Sequence, residues 1–214
     1  MKLGVFDSGI GGEAVAAALQ ITYPDATITT VNDKAHVPYG DKSAQDVIRL
    51  TNAAIQPLLD GSCDVIVLAC NTATALAIEP LRRSYPQQKF IGIEPMIKTA
   101  ASLTKTGTVA VCATPATLKS SRYHDLTVTF GAEMKIIEPD CHTWASMIEN
   151  DQINQHIIEQ IITNLCNQGA DVIVLGCTHY HWIKDMIIDM TQGRATVIEP
   201  SDAIGRRVQH LLSL

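Results

Sequence analysis

Two cysteines carry the first chemical signal in this chain. Cys70 closes DVIVLAC (64–70) and Cys177 closes DVIVLGC (171–177), an offset of 107 residues in a chain of 214. Polar residues follow each one, Asn71-Thr72 and Thr178-His179. A thiol, with an ordinary pKa of about 8.5, can act as acid or as base once its neighbours tune it. Inverting a carbon stereocentre needs a base on one face and an acid on the other. The roles swap after each turnover, so two similar groups suffice. One thiol on each wall of a single cleft fits that reaction. Asp7 is the expected tuning neighbour on the Cys70 side, and His179, with a carboxylate behind it, on the Cys177 side. Cys63, Cys112, Cys141 and Cys166 read as small buried hydrophobes. The absence of a CxxC pair argues against a structural zinc site.

Anion binding is the second signal. Four strand-to-helix turns are expected to aim helix N-termini into the cleft: Ser8-Gly9, Asn71-Thr72, Thr114 to Thr117, and Thr178-His179. Backbone N–H groups there hold carboxylates without arginine. A chain of net charge −6 can therefore still take an anionic small molecule, whereas a general nucleic-acid surface or a polybasic membrane anchor is not expected. Three rival readings share these residues. Gly9-Ile10-Gly11-Gly12-Glu13-Ala14 fits a dinucleotide fingerprint, with Asp33 ending the next strand. Asp7 would repel a pyrophosphate there, and the paired cysteines would go unexplained. Cys177, His179 and His181 with Cys70 suggest a metal site, but a spacing of two on a turn converges poorly. A non-enzymatic binding module would keep the helix N-termini but would not need both thiols.

Elements must position these groups. Hydrophobic residues make up 46% of the chain, which excludes intrinsic disorder. No run approaches about 20 apolar residues, and only four follow Lys2 before Asp7, so neither a membrane span nor a signal peptide is expected. Apolar, β-branched runs predict strands at 2–6, 27–32, 64–69, 88–93, 108–113, 133–138, 171–176 and 195–198. Helical spacing predicts helices at 43–59, 152–167 and 201–213, with Ser201 as a cap and Gly169 as a stop. Pro80 is expected to shorten or kink the helix after Cys70. The alternation predicts an α/β protein of two pseudo-symmetric, doubly wound, flavodoxin-like parallel-sheet domains with the site in the cleft between them. The expected division is 1–94 plus 201–214 against 95–200. Trp144 and Trp182 read as packing residues near the cleft.

The set DSGIGG (7–12), VPYGDKS (37–43), ACNTAT (69–74), IEPMIKTA (93–100), TPATLKS (114–120) and GCTHYH (176–181) resembles glutamate racemase, a cofactor-independent member of the aspartate/glutamate racemase superfamily. The resemblance spans nearly the whole chain. It implies two-base racemisation of glutamate without cofactor or metal, with Cys70 and Cys177 as the catalytic thiols. It implies substrate contacts from Asp7, Ser8, Tyr39, Gly40, Asn71, Thr72, Thr178 and His179, with Thr114 and Thr117 as further ones. Glu149, after CHTWASMI, would assist His179 and Cys177. It also implies a cytoplasmic enzyme, a homodimer in many members, that supplies D-glutamate for peptidoglycan. The part after Cys177 is shorter than is typical, which points towards aspartate racemases, while DSGIGG and PYG favour glutamate.

Overall fold

The computed structural model describes residues 1–212; Ser213 and Leu214, expected at the end of the last helix and of the first unit, lie outside the described residues. The first half runs β1 (Lys2–Asp7), α1 (Gly12–Thr22), β2 (Thr27–Asn32), α2 (Ala44–Ala54), α3 (Gln56–Asp60), β3 (Val65–Leu68), α4 (Asn71–Ser84) and β4 (Lys89–Gly92). The second runs α5 (Ile97–Leu103), β5 (Thr108–Ala113), α6 (Pro115–Leu118), α7 (Ser121–Phe130), β6 (Lys135–Ile137), α8 (Trp144–Glu149), α9 (Gln155–Asn167), β7 (Val172–Gly176), α10 (Lys184–Thr191) and β8 (Thr196–Ile198). A last helix, α11 (Ser201–Leu212), follows. Short 3-10 turns cover Lys34–His36, Tyr39–Asp41 and Thr178–Ile183.

Among the described residues the strands form two four-stranded parallel sheets of the same order, β2-β1-β3-β4 and β6-β5-β7-β8. Pleating explains why the central strands are apolar throughout. Val65 and Val67 face α1 and α11, while Ile66 and Leu68 face α2 and α4. Val172 and Val174 likewise oppose Ile173 and Leu175 across the second sheet. Ile204 and Val208 of α11 are buried with Leu3, Val5 and Val15 of the first half. The backbone thus crosses between the sheets twice, through Ile93–Met96 and through Glu199–Ser201. No helix among the described residues is long and apolar enough to cross a membrane.

Three local expectations need correction. The helix expected over 43–59 breaks at Ile55, because Pro57 has no N–H to continue the ladder and instead sits in the first turn of α3. Pro80 does not shorten α4, which continues to Ser84; its buried face, with Ala73, Ala77, Ile78 and Leu81, packs on the sheet and overrides the local penalty. Ser201 lies inside the first turn of α11 rather than capping it, and its N–H and hydroxyl both donate to Glu199.

Candidate active site

In both sheets the strand order reverses beside the first strand, and open α/β sheets bind ligands at such switch points. The polypeptide leaving β1 and β3 there is Asp7-Ser8 and Ala69-Cys70. The polypeptide leaving β5 and β7 is Thr114 and Cys177. One small cavity is lined by Cys70 and Cys177 together, with Ser8, Asn71, Thr72 and Thr178 among its other walls. Tyr39, Gly40, Thr114 and His179 also line it, as do Val37, Pro38 and Ala145, which the sequence reading missed. Ala145 had a signal, since it sits one helical turn before Glu149 on α8. The free space is about 20 Å³, room for one water. A wider cavity of about 330 Å³ lies at the two crossings, lined by Arg82, Glu94, Arg122 and Arg207, with neither a thiol nor a histidine.

The Cys177 wall holds a relay. Sγ of Cys177 lies 3.8 Å from Nδ1 of His179, and Nε2 of His179 lies 2.6 Å from Oε2 of Glu149. When His179 donates from Nε2 to that carboxylate, its Nδ1 lone pair faces the thiol. Glu149 also accepts from the Ile10 amide of the first half at 3.2 Å. A Cβ at Gly9 would stand 2.5 Å from this carboxylate and 2.6 Å from the imidazole, so the glycine makes room for the relay.

The Cys70 wall is built differently. Cys70 is the residue before α4, and its Sγ accepts from the Ala73 amide at 3.4 Å and lies 3.4 Å from the Ser8 hydroxyl. Asp7, the expected tuning neighbour, acts on Cys70 through its charge, while its carboxylate oxygens are hydrogen-bonded to other groups. It accepts from the amides of Gly9 and Gly12, both at 3.1 Å, and from the Thr178 hydroxyl at 3.2 Å. Asp7 therefore takes up the turn amides that a pyrophosphate would need, which removes the dinucleotide reading, and it ties the first half to the Cys177 turn. That turn is a 3-10 helix, and the amides of His179 and Tyr180 in its first turn bond the Cys177 sulfur.

Between the walls, Thr72, Thr114 and Thr117 bring their hydroxyls together at 2.9, 3.0 and 3.4 Å. Gly40 presses on Thr114, where a Cβ would come within 2.9 Å. The Tyr39 hydroxyl turns away to donate to Asp33 at 2.7 Å. Both Oδ1 and Nδ2 of Asn71 are buried without a partner. Leaving such atoms unpaired costs about 1–3 kcal/mol, a cost that a polar ligand at this point would offset. Asp7, Glu149 and Thr117 stand behind the lining. Trp144 is fully buried in the second core, Trp182 is half exposed, and neither borders the cavity. His181 faces Glu199, and among the described residues no group of His, Cys, Asp or Glu is set to hold a metal.

Burial dominates the electrostatics. It pushes the Cys70 thiol up to about 12, helped by the Asp7 charge and opposed by the hydrogen bonds from Ser8 and Ala73. Burial, and then the neighbouring Cys70, raises Cys177 as well. Asp7 is itself raised by burial, against the pull of His179 and its amide and Thr178 partners. The closed cleft therefore holds two protonated thiols near neutral pH.

The fold and site define a two-sheet α/β protein with a thiol pair at matching switch points. Residues 13–207 match the Asp/Glu/Hydantoin racemase family, and the chain belongs to it. It is 35% identical to a glutamate racemase of Pseudomonas aeruginosa (strain UCBPP-PA14), over 99% of this chain and 81% of that one. Its fold superposes on Escherichia coli glutamate racemase, solved with L-glutamate and the activator UDP-MurNAc-Ala, at a TM-score of 0.90 and 28% identity, covering 99% and 82% of the two chains. The Francisella tularensis enzyme, solved with D-glutamate, gives 0.82 and 30%, covering 99% and 80%.

Proposed function

We propose that this protein interconverts L- and D-glutamate without a cofactor, with Cys70 and Cys177 alternating as base and acid. The observation that carries the reading is the two thiols lining one cavity from matching strand ends. One thiolate removes the Cα proton, the electron pair passes into the α-carboxylate group as an enediolate, and the opposite thiol returns a proton to the other face. The next turnover starts with the roles reversed. His179 and Glu149 support proton movement at Cys177, and Ser8 does so at Cys70. Asn71 and the N-terminus of α4 meet an anionic group, and the threonine cluster with Thr178 meets the other polar groups of the amino acid. Asp7 holds the two walls together through Thr178. The reading takes residues 1–94 plus 201–214 as one unit and 95–200 as the other, each supplying one thiol. It places the reaction in the cytoplasm, as a source of D-glutamate for peptidoglycan, in a homodimer.

Either enantiomer incubated in deuterium oxide should yield the opposite one with deuterium at Cα. Cys70→Ser and Cys177→Ser should each abolish racemisation, and full activity in either one would refute the two-base assignment. Aspartate should turn over poorly; aspartate turned over as fast as glutamate would make this an aspartate racemase with the same chemistry.

A further inference from the structure

Both crossings between the sheets read Ile-Glu-Pro, at 93–95 and at 198–200. Their glutamates meet cations of the second half: Glu94 pairs with Arg122 of α7, and Glu199 with Lys184 of α10. Glu199 does more than pair. It is 8% exposed, and its two oxygens serve different elements. Oε1 accepts from Lys184 Nζ at 3.4 Å and lies 3.3 Å from His181 Nδ1. Oε2 accepts from the Ser201 hydroxyl at 2.6 Å and from its amide at 3.4 Å.

These contacts form a closed circuit. The turn 178–183 follows Cys177, so by sequence it belongs to the second sheet. Its near end is fastened to the first half, because Thr178 donates to Asp7 and its neighbour His179 meets Glu149, which also holds the Ile10 amide. Its far end, through His181 and Lys184, is fastened to Glu199. Glu199 in turn holds Ser201, which opens α11, and α11 is buried in the core of the first half. The turn is therefore gripped at both ends by elements anchored in the opposite half.

We infer that Glu199 is a positioning residue: it clamps the far end of the 178–183 turn to the returning crossing and so keeps Thr178 and His179 in register with Asp7 and Glu149. A buried carboxylate is costly unless it is paired and hydrogen-bonded, and this one has both kinds of partner. Losing it frees the turn at one end. Misplacing acid–base groups by about 1 Å can cost about 100-fold in rate. The kinetic part of this inference rests on the racemase reading; the structural part does not.

The test compares wild type with Glu199→Gln, Glu199→Asp and Ser201→Ala. Gln keeps the shape but cannot accept at both ends, whereas Asp keeps two acceptors. Glu199→Gln should lower kcat by about 10-fold to 100-fold with a smaller change in KM, and Asp should restore part of the loss. The discriminating readout is the primary isotope effect with Cα-deuterated D- and L-glutamate. Removing support from one thiol makes that thiol's proton transfer limiting, so the isotope effect should rise for one enantiomer only. It should be the enantiomer that His179→Asn also affects. Simple loss of folded enzyme lowers rates and leaves isotope effects unchanged.

Without substrate, amide hydrogen exchange over 178–184 should quicken in Glu199→Gln by about 10-fold or more, with α4 unaffected. If Glu199→Gln fails to fold, Ser201→Ala, which removes one hydroxyl donor, should show the same changes at smaller size. Unchanged exchange overturns the inference. Faster exchange with unaltered isotope effects overturns it too, because the residue would then be structural only. Should wild type leave glutamate untouched, the racemase reading falls, and the exchange comparison alone decides whether Glu199 clamps the turn.

Discussion

At the residue scale the two thiols line one cavity but do not share an environment. Cys177 faces an imidazole backed by a carboxylate, whereas Cys70 has a serine hydroxyl and a helix amide, with the Asp7 charge nearby. Both are held protonated in the closed cleft, mainly by burial. Under the proposed two-base reaction, turnover needs one thiolate and one thiol. With free-enzyme thiols raised, kcat/KM should climb as pH rises above 7. Asp7 adds to the Cys70 shift because a negative neighbour disfavours thiolate. Asp7→Asn removes that charge, so the thiolate becomes easier to form and the rising limb should move to lower pH. The maximal rate should fall, since one Asn oxygen cannot serve Gly9, Gly12 and Thr178 together. Profiles of kcat/KM against pH for both forms check this; a limb that stays in place would show that the Asp7 charge does not govern the Cys70 thiol.

At the element scale, α4 presents Cys70, Asn71 and Thr72 at its start and carries Pro80 inside. A proline within a helix costs about 3 kcal/mol relative to alanine, through a lost hydrogen bond and a ring clash. Pro80→Ala should therefore raise the unfolding free energy, by about 1–3 kcal/mol in a urea titration. Position 80 lies nine residues past Asn71, roughly 13 Å along the axis, so kcat should not change. A less stable variant would mean that the proline supports packing that its local penalty hides. The same helix marks what a sequence can and cannot tell. Strand positions were readable because buried parallel strands must be apolar throughout, and DVIVLAC against DVIVLGC exposed the repeat and its cysteines. The shortening expected at Pro80 does not occur because its penalty is local, while the burial of Ala77, Ile78 and Leu81 that offsets it is tertiary. The same blindness covers Ile55, where α2 ends, and the 3-10 turn after Cys177. Val37 and Pro38 carry no chemistry of their own, so only the fold reveals that they wall the cavity. Glu199 is 22 residues from Cys177 in sequence, and the parallel pairing of β8 beside β7 brings them to the same sheet end.

At the scale of the whole molecule, the two halves close on a cavity of about 20 Å³, too small for any amino acid. Substrate entry between the thiols therefore requires the walls to separate if glutamate is to bind there, and labelling tests that. The contacts that must part join the halves: Thr178 with Asp7, Glu149 with the Ile10 amide, Thr72 with Thr114, and Gly40 against Thr114. Apart from Ile10, which packs on the core of the second half, these contacts are polar or glycine contacts, and none of them is a strand pairing. Alkylation with iodoacetamide, followed by peptide mass spectrometry, measures that opening. Cys166, part exposed on α9, should label first. Cys70 and Cys177 should label more slowly and in parallel, because one motion uncovers both. Cys112 and Cys141, in the core of the second half, should lag behind them, since only unfolding exposes those thiols. Glutamate should slow Cys70 and Cys177 together and leave Cys166 unchanged. If Cys70 and Cys177 labelled at rates that glutamate shifts independently, they would be exposed by separate local motions, and a single cleft opening between the halves would no longer describe how the site works.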